Sequence, residues 1–364
     1  MTKFKSVVIS MIALILLLVV IFLLFNMKKS KGKESESFNK DFNIAVIETT
    51  EQDNKSNLTF YNKNFENKGT QEINLGSMGS SFDLPRIYNN NMYVVPKGIG
   101  NKKDLTVVME YNMENGKYET YDMKQPGINS FAVNDKSLYS ANTLNNKSII
   151  SWYDKSSGNV KTISEEDIYI GRIDLYGDTL YAFGTIKNND GKKCYLYIID
   201  TKSFKVLDKI DISKSGSNQN YSIKVAGDIY FTSQYEISGT AVKGSYNLSK
   251  FNIKDKTISN IVLKEDYPFQ IINYKDKLLI SHYNLVQTQG NKITIYDPKT
   301  NEQQGVTLEN NLSQIFIKDD KLYSRDGEYL YVYSINTFKL LNKIDIYTRR
   351  GDKKFYFLSA FFTK

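Results

Sequence analysis

The chain of 364 residues is poor in the residue types that metal centres, disulfide scaffolds and many catalytic sites require. One cysteine, Cys194, excludes an intramolecular disulfide framework and any cysteine-based zinc site. One histidine, His282, removes multi-histidine metal centres and leaves little for histidine-dependent catalysis. Only five prolines argue against long polyproline linkers. Arginine is confined to Arg86, Arg172, Arg325, Arg349 and Arg350, while lysine is abundant. A nucleic-acid binder would cluster basic residues and use the planar fork of arginine for phosphates and bases, so no nucleic-acid partner is expected. Of the formal charge of +8, the first 36 residues supply +4, through six lysines against two glutamates.

What is present is apolar and aromatic. Hydrophobic residues make up 41% of the chain and charged residues 24%, enough for a sizeable core. Ser6 to Phe25 reads SVVISMIALILLLVVIFLLF, twenty residues without a charge, matching the ~20 helical residues that cross a bilayer. Asn26, Met27, Lys28 and Lys29 follow it in place of a small-x-small cleavage site, and no cysteine offers a lipid anchor. The expected organisation is therefore a head at 1–5, a transmembrane signal anchor at 6–27, a charged tether at 28–41 and a folded body at 42–364. A cleaved signal peptide is the alternative. Lysines flank the span on both sides, so positive-inside counting does not orient it. A five-residue head before a long apolar span is the usual form of a bacterial anchor, which places the body extracytoplasmically, as a single-pass protein of the cell membrane.

Beyond Asp41 the apolar residues alternate in short runs separated by Asn, Asp, Gly and Lys, the pattern of strands and tight turns. The 27 tyrosines and 20 phenylalanines suit pleated, half-buried strands. One phrase recurs, a polar turn followed by a Leu-Tyr-like pair. It reads NNNMYVV from Asn89, NDKSLYSA from Asn134, GDTLYAF from Gly177, GDIYFTS from Gly227, KDKLLIS from Lys275 and DDKLYSR from Asp319. The copies lie about 42 to 49 residues apart, the spacing of four-stranded propeller blades. A second phrase follows, an alternating strand, a turn and a shorter strand. Its copies include LYIIDTKSFKVLDKIDI from Leu196, ITIYDPKTNEQQGVTL from Ile293 and LYVYSINTFKLLNKIDI from Leu330.

The phrase from Leu196 to Ile212 resembles the YVTN repeat of bacterial β-propellers, and the other copies are similar to the wider quinoprotein-like and WD-repeat-like groups. The resemblance covers about residues 42 to 364 and implies an all-β, seven-bladed propeller of four-stranded antiparallel blades. The first unit, opening with FNIAVIE at Phe42, has its second, third and fourth strands but lacks a first. The segment KKFYFLSAFF, Lys353 to Phe362, falls where the first strand of an eighth unit would stand. Circular closure is the economical reading, with the C-terminal strand completing the first blade. Six or eight blades are the alternatives if the longer units hide an insertion or a lost strand.

Ligand contacts are expected on the face made by loops between second and third strands and by links between blades. The loops are Pro96–Asp104, Gly184–Lys193, Ser233–Ser245 and Ser281–Asn284. The links include Gly76–Phe82, Ser213–Asn220, Lys264–Pro268 and Tyr347–Lys353. The candidates there are Arg86, Arg172, Tyr221, Tyr235, Tyr267, His282 and Tyr283. Arg86 and Arg172 either meet an anionic ligand in the channel or pair with an acid such as Asp83 or Asp174. His282 is either a base or ligand contact, or an exposed polar loop residue. Trp152 reads as inter-blade core, and Asn188 to Gly191 as a hairpin turn in place of half a calcium loop. No catalytic residue, cofactor or metal site is expected. The expected function is a monomeric, membrane-tethered, non-enzymatic module that binds a protein, a peptide or a cell-envelope ligand. A lyase or hydrolase centred on His282 is the alternative.

Overall fold

The computed structural model describes residues 38, 40–52, 54–79, 83–97, 105–188, 191–237, 243–346 and 356–364. The expected anchor at 6–27 lies outside them, as do the linking residues 347–353; no helix among the described residues is long and apolar enough to cross a membrane. Seven four-stranded antiparallel sheets form the blades of a propeller. Six are built in simple chain order, the innermost strand first. Blade 1 departs from that order: its innermost strand is Phe357–Thr363, followed outward by Ile44–Thr49, Ser56–Tyr61 and Asn67–Ile73. The ring is thus closed by the C-terminal strand, with Val46 opposite Phe361 and Ile44 opposite Thr363.

Local chemistry explains the repeated hairpins. The turns Asn89–Asn90, Asn145–Asn146, Lys275–Asp276 and Asp319–Asp320 hold both residues at positive φ, the two-residue geometry whose twist matches that of paired strands. Asn and Asp tolerate this conformation better than other non-glycine residues, which is why they punctuate the sequence. Inner strands such as Lys277–Asn284 are buried along nearly their whole length, whereas outer strands such as Lys205–Asp211 are largely exposed. Side chains of adjacent blades make the core. Trp152 of blade 3 lies 6.2 Å from Phe204 of blade 4 and donates its indole N–H to Ser137 Oγ at 2.8 Å. It is inter-blade core, as expected.

Several blades are also stitched by buried amides. Gln270 of blade 6 accepts from Ile315 N at 2.6 Å and donates to Ile315 O at 3.4 Å. Gln314 of blade 7 does the same to Phe361 of the closing strand, at 2.9 and 2.7 Å. Each side chain gives the next blade's innermost backbone the bonds a neighbouring strand would supply.

Strand direction assigns the two faces. The links between blades and the loops between second and third strands share one face; the remaining hairpins share the other. The chain enters blade 1 on that second face, where Lys364 N donates to Asn43 O at 3.1 Å. Packing begins there at Phe38, whose ring stands 5.7 Å from Phe60 and 6.4 Å from Tyr111. Gly116, at φ 70, faces that ring so closely that a Cβ would sit 2.5 Å from it.

Two expected loops are strands. The second and third strands of blade 4 run to Asn188 and from Gly191, which pair with each other, so most of Gly184–Lys193 is regular sheet. Ser281–Asn284 is the end of the strand Lys277–Asn284. In both, the backbone pairing of the hairpin continues past the last apolar residues, beyond the point where the turn was placed.

Candidate functional site

Two side-chain systems lie toward the loop face, one sealed and one open. The sealed system joins the innermost strands of four blades. Arg172 and Asp174, two apart on a strand and so on one side of it, pair through Arg172 Nε and Nη2 at 2.7 to 3.0 Å. Arg86 reaches across from blade 2 to the same carboxylate at 3.1 Å and donates to Ile173 O at 3.1 Å. Ser222 Oγ completes the acceptor shell of Asp174 at 2.7 Å, and the Arg172 guanidinium lies 4.7 Å from the centre of the Tyr221 ring. Asp83, in the link between blades 1 and 2, is fully buried against this cluster. Burial raises its carboxyl to about 6, in spite of the attraction of Arg86, Arg172 and Lys97. Burial and the neighbouring Arg172 lower the pKa of Arg86. Burial also opposes the charge of Arg172, but Asp174 outweighs it and raises that pKa.

The open system is a pair of adjoining hollows. One, of about 590 Å³, is walled by Tyr267, His282, Tyr283, Asn284, Gln287, Gly290, Asn311 and their neighbours in blade 6. The other, of about 540 Å³, lies by the ring closure and includes Lys97, Tyr283, Asn311, Ser313, Arg325 and Ser359. Tyr283 and Asn311 belong to both. Gly290, at φ 144, lets the chain pass against His282, where a Cβ would fall 2.2 Å from the His282 carbonyl oxygen. Tyr221, Phe269 and Tyr283 form an aromatic chain, 5.1 and 5.5 Å between ring centres, connecting the sealed cluster to the hollows.

The expected residues therefore divide. Arg86, Arg172 and Tyr221 meet in the sealed cluster, where the guanidinium groups are engaged by Asp174 as the ion-pair reading held. Tyr267, His282 and Tyr283 line the open hollow, and Tyr235 packs edge-on against Tyr267 at 6.0 Å. His282 is not the exposed loop residue that one reading made it. It is 4% exposed, because its strand continues inward past the expected turn. Its Nδ1 lies 2.8 Å from Asp266 O and its Nε2 2.8 Å from Thr294 Oγ1. A carbonyl can only accept, so Nδ1 carries the proton and Nε2 accepts from the threonine. Sequence reasoning passed over Arg325, Lys97 and Asn311. The one available signal was DDKLYSR, which ends in arginine where LYSA, YFTS and LLIS end in small residues.

Burial lowers the pKa of His282 to about 4. The unfolded chain then binds more protons between about 4 and 6.5, so stability is full above 6.5 and falls as the pH drops toward 4. The loss is about 3 kcal/mol. Asp83 acts in the opposite sense, since acid relieves its buried charge. The expected result is a difference in denaturation midpoint between wild type and His282→Gln that changes steadily across this window. Parallel profiles would refute it.

No protein-family model matches the chain, and no curated protein matches it in sequence. Solved structures are similar to it in fold. A protein provisionally assigned as a 6-phosphogluconolactonase from Bacteroides uniformis has a TM-score of 0.60 at 12% identity, over 89% of this chain and 100% of that one. The dihydro-heme d1 dehydrogenase NirN, in complex with DHE, gives 0.52 at 10%, over 86% and 75%. AztD of Citrobacter koseri gives 0.51 at 10%, over 89% and 98%. At such identities the likeness concerns the fold alone.

Proposed function

We propose that the protein is a membrane-anchored, extracytoplasmic propeller that acts as a non-enzymatic binding module for a protein, peptide or cell-envelope ligand. The observation that carries this reading is the pair of joined hollows on the loop face, drawn from blades 1, 2, 6 and 7, with aromatic and amide walls and sizes typical of ligand sites. The charge-free run Ser6–Phe25 supports the anchor. The lyase or hydrolase alternative draws less support, because both ring nitrogens of His282 are already engaged within the protein.

Cysteine placed at Asn311, on the loop face, or at Ser157, on an exposed hairpin of the opposite face, tests both placement and face. A membrane-impermeant bifunctional crosslinker on intact cells should react at both positions and give a discrete adduct from Asn311→Cys alone. Reaction at neither position before lysis would overturn the extracytoplasmic placement. Equal adducts from the two, or none, would overturn the assignment of the loop face as the binding surface.

A further inference from the structure

Arg325 ends the second strand of blade 7 and is 5% exposed. Its neighbours satisfy only part of its guanidinium. Nε donates to Gln314 Oε1 at 3.2 Å, and Nη1 donates to Leu358 O at 3.0 Å and Asp326 O at 3.4 Å. All three acceptors are neutral oxygens. Among the described residues Nη2 has no hydrogen-bond partner, although Arg325 forms part of the wall of the 540 Å³ hollow. This differs from Arg86 and Arg172, which share the Asp174 carboxylate.

The acids nearby do not fill that role. Asp326 also lines the hollow, but its carboxylate accepts from Glu328 N, Tyr329 N and Tyr331 OH at 2.8 to 2.9 Å, turned into its own hairpin. Glu51 lies on the exposed rim, beyond ion-pair distance of Arg325. Lys97 lines the same hollow and makes no ion pair among the described residues. A buried cation without an acidic partner is costly, and an anion entering the hollow would relieve that cost. Burial lowers the Arg325 pKa to about 10, in keeping with this imbalance.

We infer that the hollow beside the ring closure is an anion site, in which the free Nη2 edge of Arg325, helped by Lys97, receives a carboxylate or phosphate group of the ligand. The inference rests on the binding-module reading and names the chemistry of its ligand. The hollow across Tyr283 and Asn311, walled by tyrosines and amides together with Glu265, Asp266 and Lys292, would take the remainder of the ligand.

The test is equilibrium dialysis of the full chain in detergent at low salt, with radiolabelled inorganic phosphate, succinate, and neutral succinamide as control. Saturable uptake of about one equivalent of phosphate or succinate is expected, and none of succinamide; the better-held anion identifies the source. Arg325→Gln should weaken binding about tenfold or more, as loss of a charge-assisted contact does. Lys97→Gln, on an exposed loop residue, should weaken it severalfold without affecting the fold, and it decides the matter if Arg325→Gln does not fold. No saturable uptake by wild type, or uptake unchanged in Lys97→Gln and in folded Arg325→Gln, overturns the anion site. The crosslinking result from Asn311 would then stand or fall separately.

Discussion

A chain ending at residue 355 should fail to form a stable ring. The closing strand buries Leu358, Phe361 and Phe362 almost completely, and each such side chain is worth about 1.5–3 kcal/mol. Their sum approaches the whole stability of an ordinary domain, about 5–15 kcal/mol. Its removal also bares the edge of Ile44–Thr49 and leaves Gln314 and Arg325 without their backbone partners, Phe361 and Leu358. The truncated protein should aggregate, with no cooperative transition in denaturant. Single substitutions grade the effect. Phe361→Ala should cost about 3–5 kcal/mol. Phe357, at the start of the same strand, is 42% exposed at the mouth of the hollow, and Phe357→Ala should cost less than about 1 kcal/mol. Equal costs at the two positions, or a soluble and cooperative truncation, would show that the ring does not depend on this strand.

Asp174→Ala should be comparably damaging although it removes few atoms. It takes away the carboxylate that Arg86 and Arg172 share, leaving a buried and a partly buried cation side by side. Breaking a buried pair in this way costs about 3–5 kcal/mol. Asp83 would become the remaining acid of the cluster, and without the neighbouring anion its carboxyl should titrate below about 6. Replacing Arg86, Arg172 and Asp174 together by apolar residues should recover much of the lost stability, since no charge is then stranded. Denaturant titration of the single and triple variants reads both outcomes. A loss below about 1 kcal/mol in Asp174→Ala would mean that water reaches the guanidinium groups and the cluster is not sealed.

The ring was legible because its signal is repetitive. Asn and Asp turns, Leu-Tyr openings and a first unit lacking one strand are local facts, and together they favour seven blades and a C-terminal closure over the six or eight blades left as alternatives. The site was legible only in part. Arg86 and Arg172 could be placed near an acid because Asp83 and Asp174 stand within three residues of them. His282 was misplaced because a hairpin that stays paired beyond the expected turn changes a loop residue into a buried one. The glutamine stitches left no trace in the sequence, and DDKLYSR marked Arg325 as unusual without showing that its Nη2 has no partner among the described residues. They depend on which backbone groups of the next blade come within reach, a property of the closed ring and of no segment in it.

The entry of the chain on the face away from the hollows has a bearing on what can reach them. Strands of six to eight residues make the ring about 20–25 Å thick. The ten residues 28–37, between the proposed anchor at 6–27 and Phe38, span at most about 33–36 Å of chain. On the proposed membrane anchor, a body held through Phe38 would carry its hollows outward like the bowl of a raised dish. Lipid headgroups beneath it would meet only the blunt hairpins of the underside, and the hollows would sample what arrives from the far side, within some 60 Å of the bilayer.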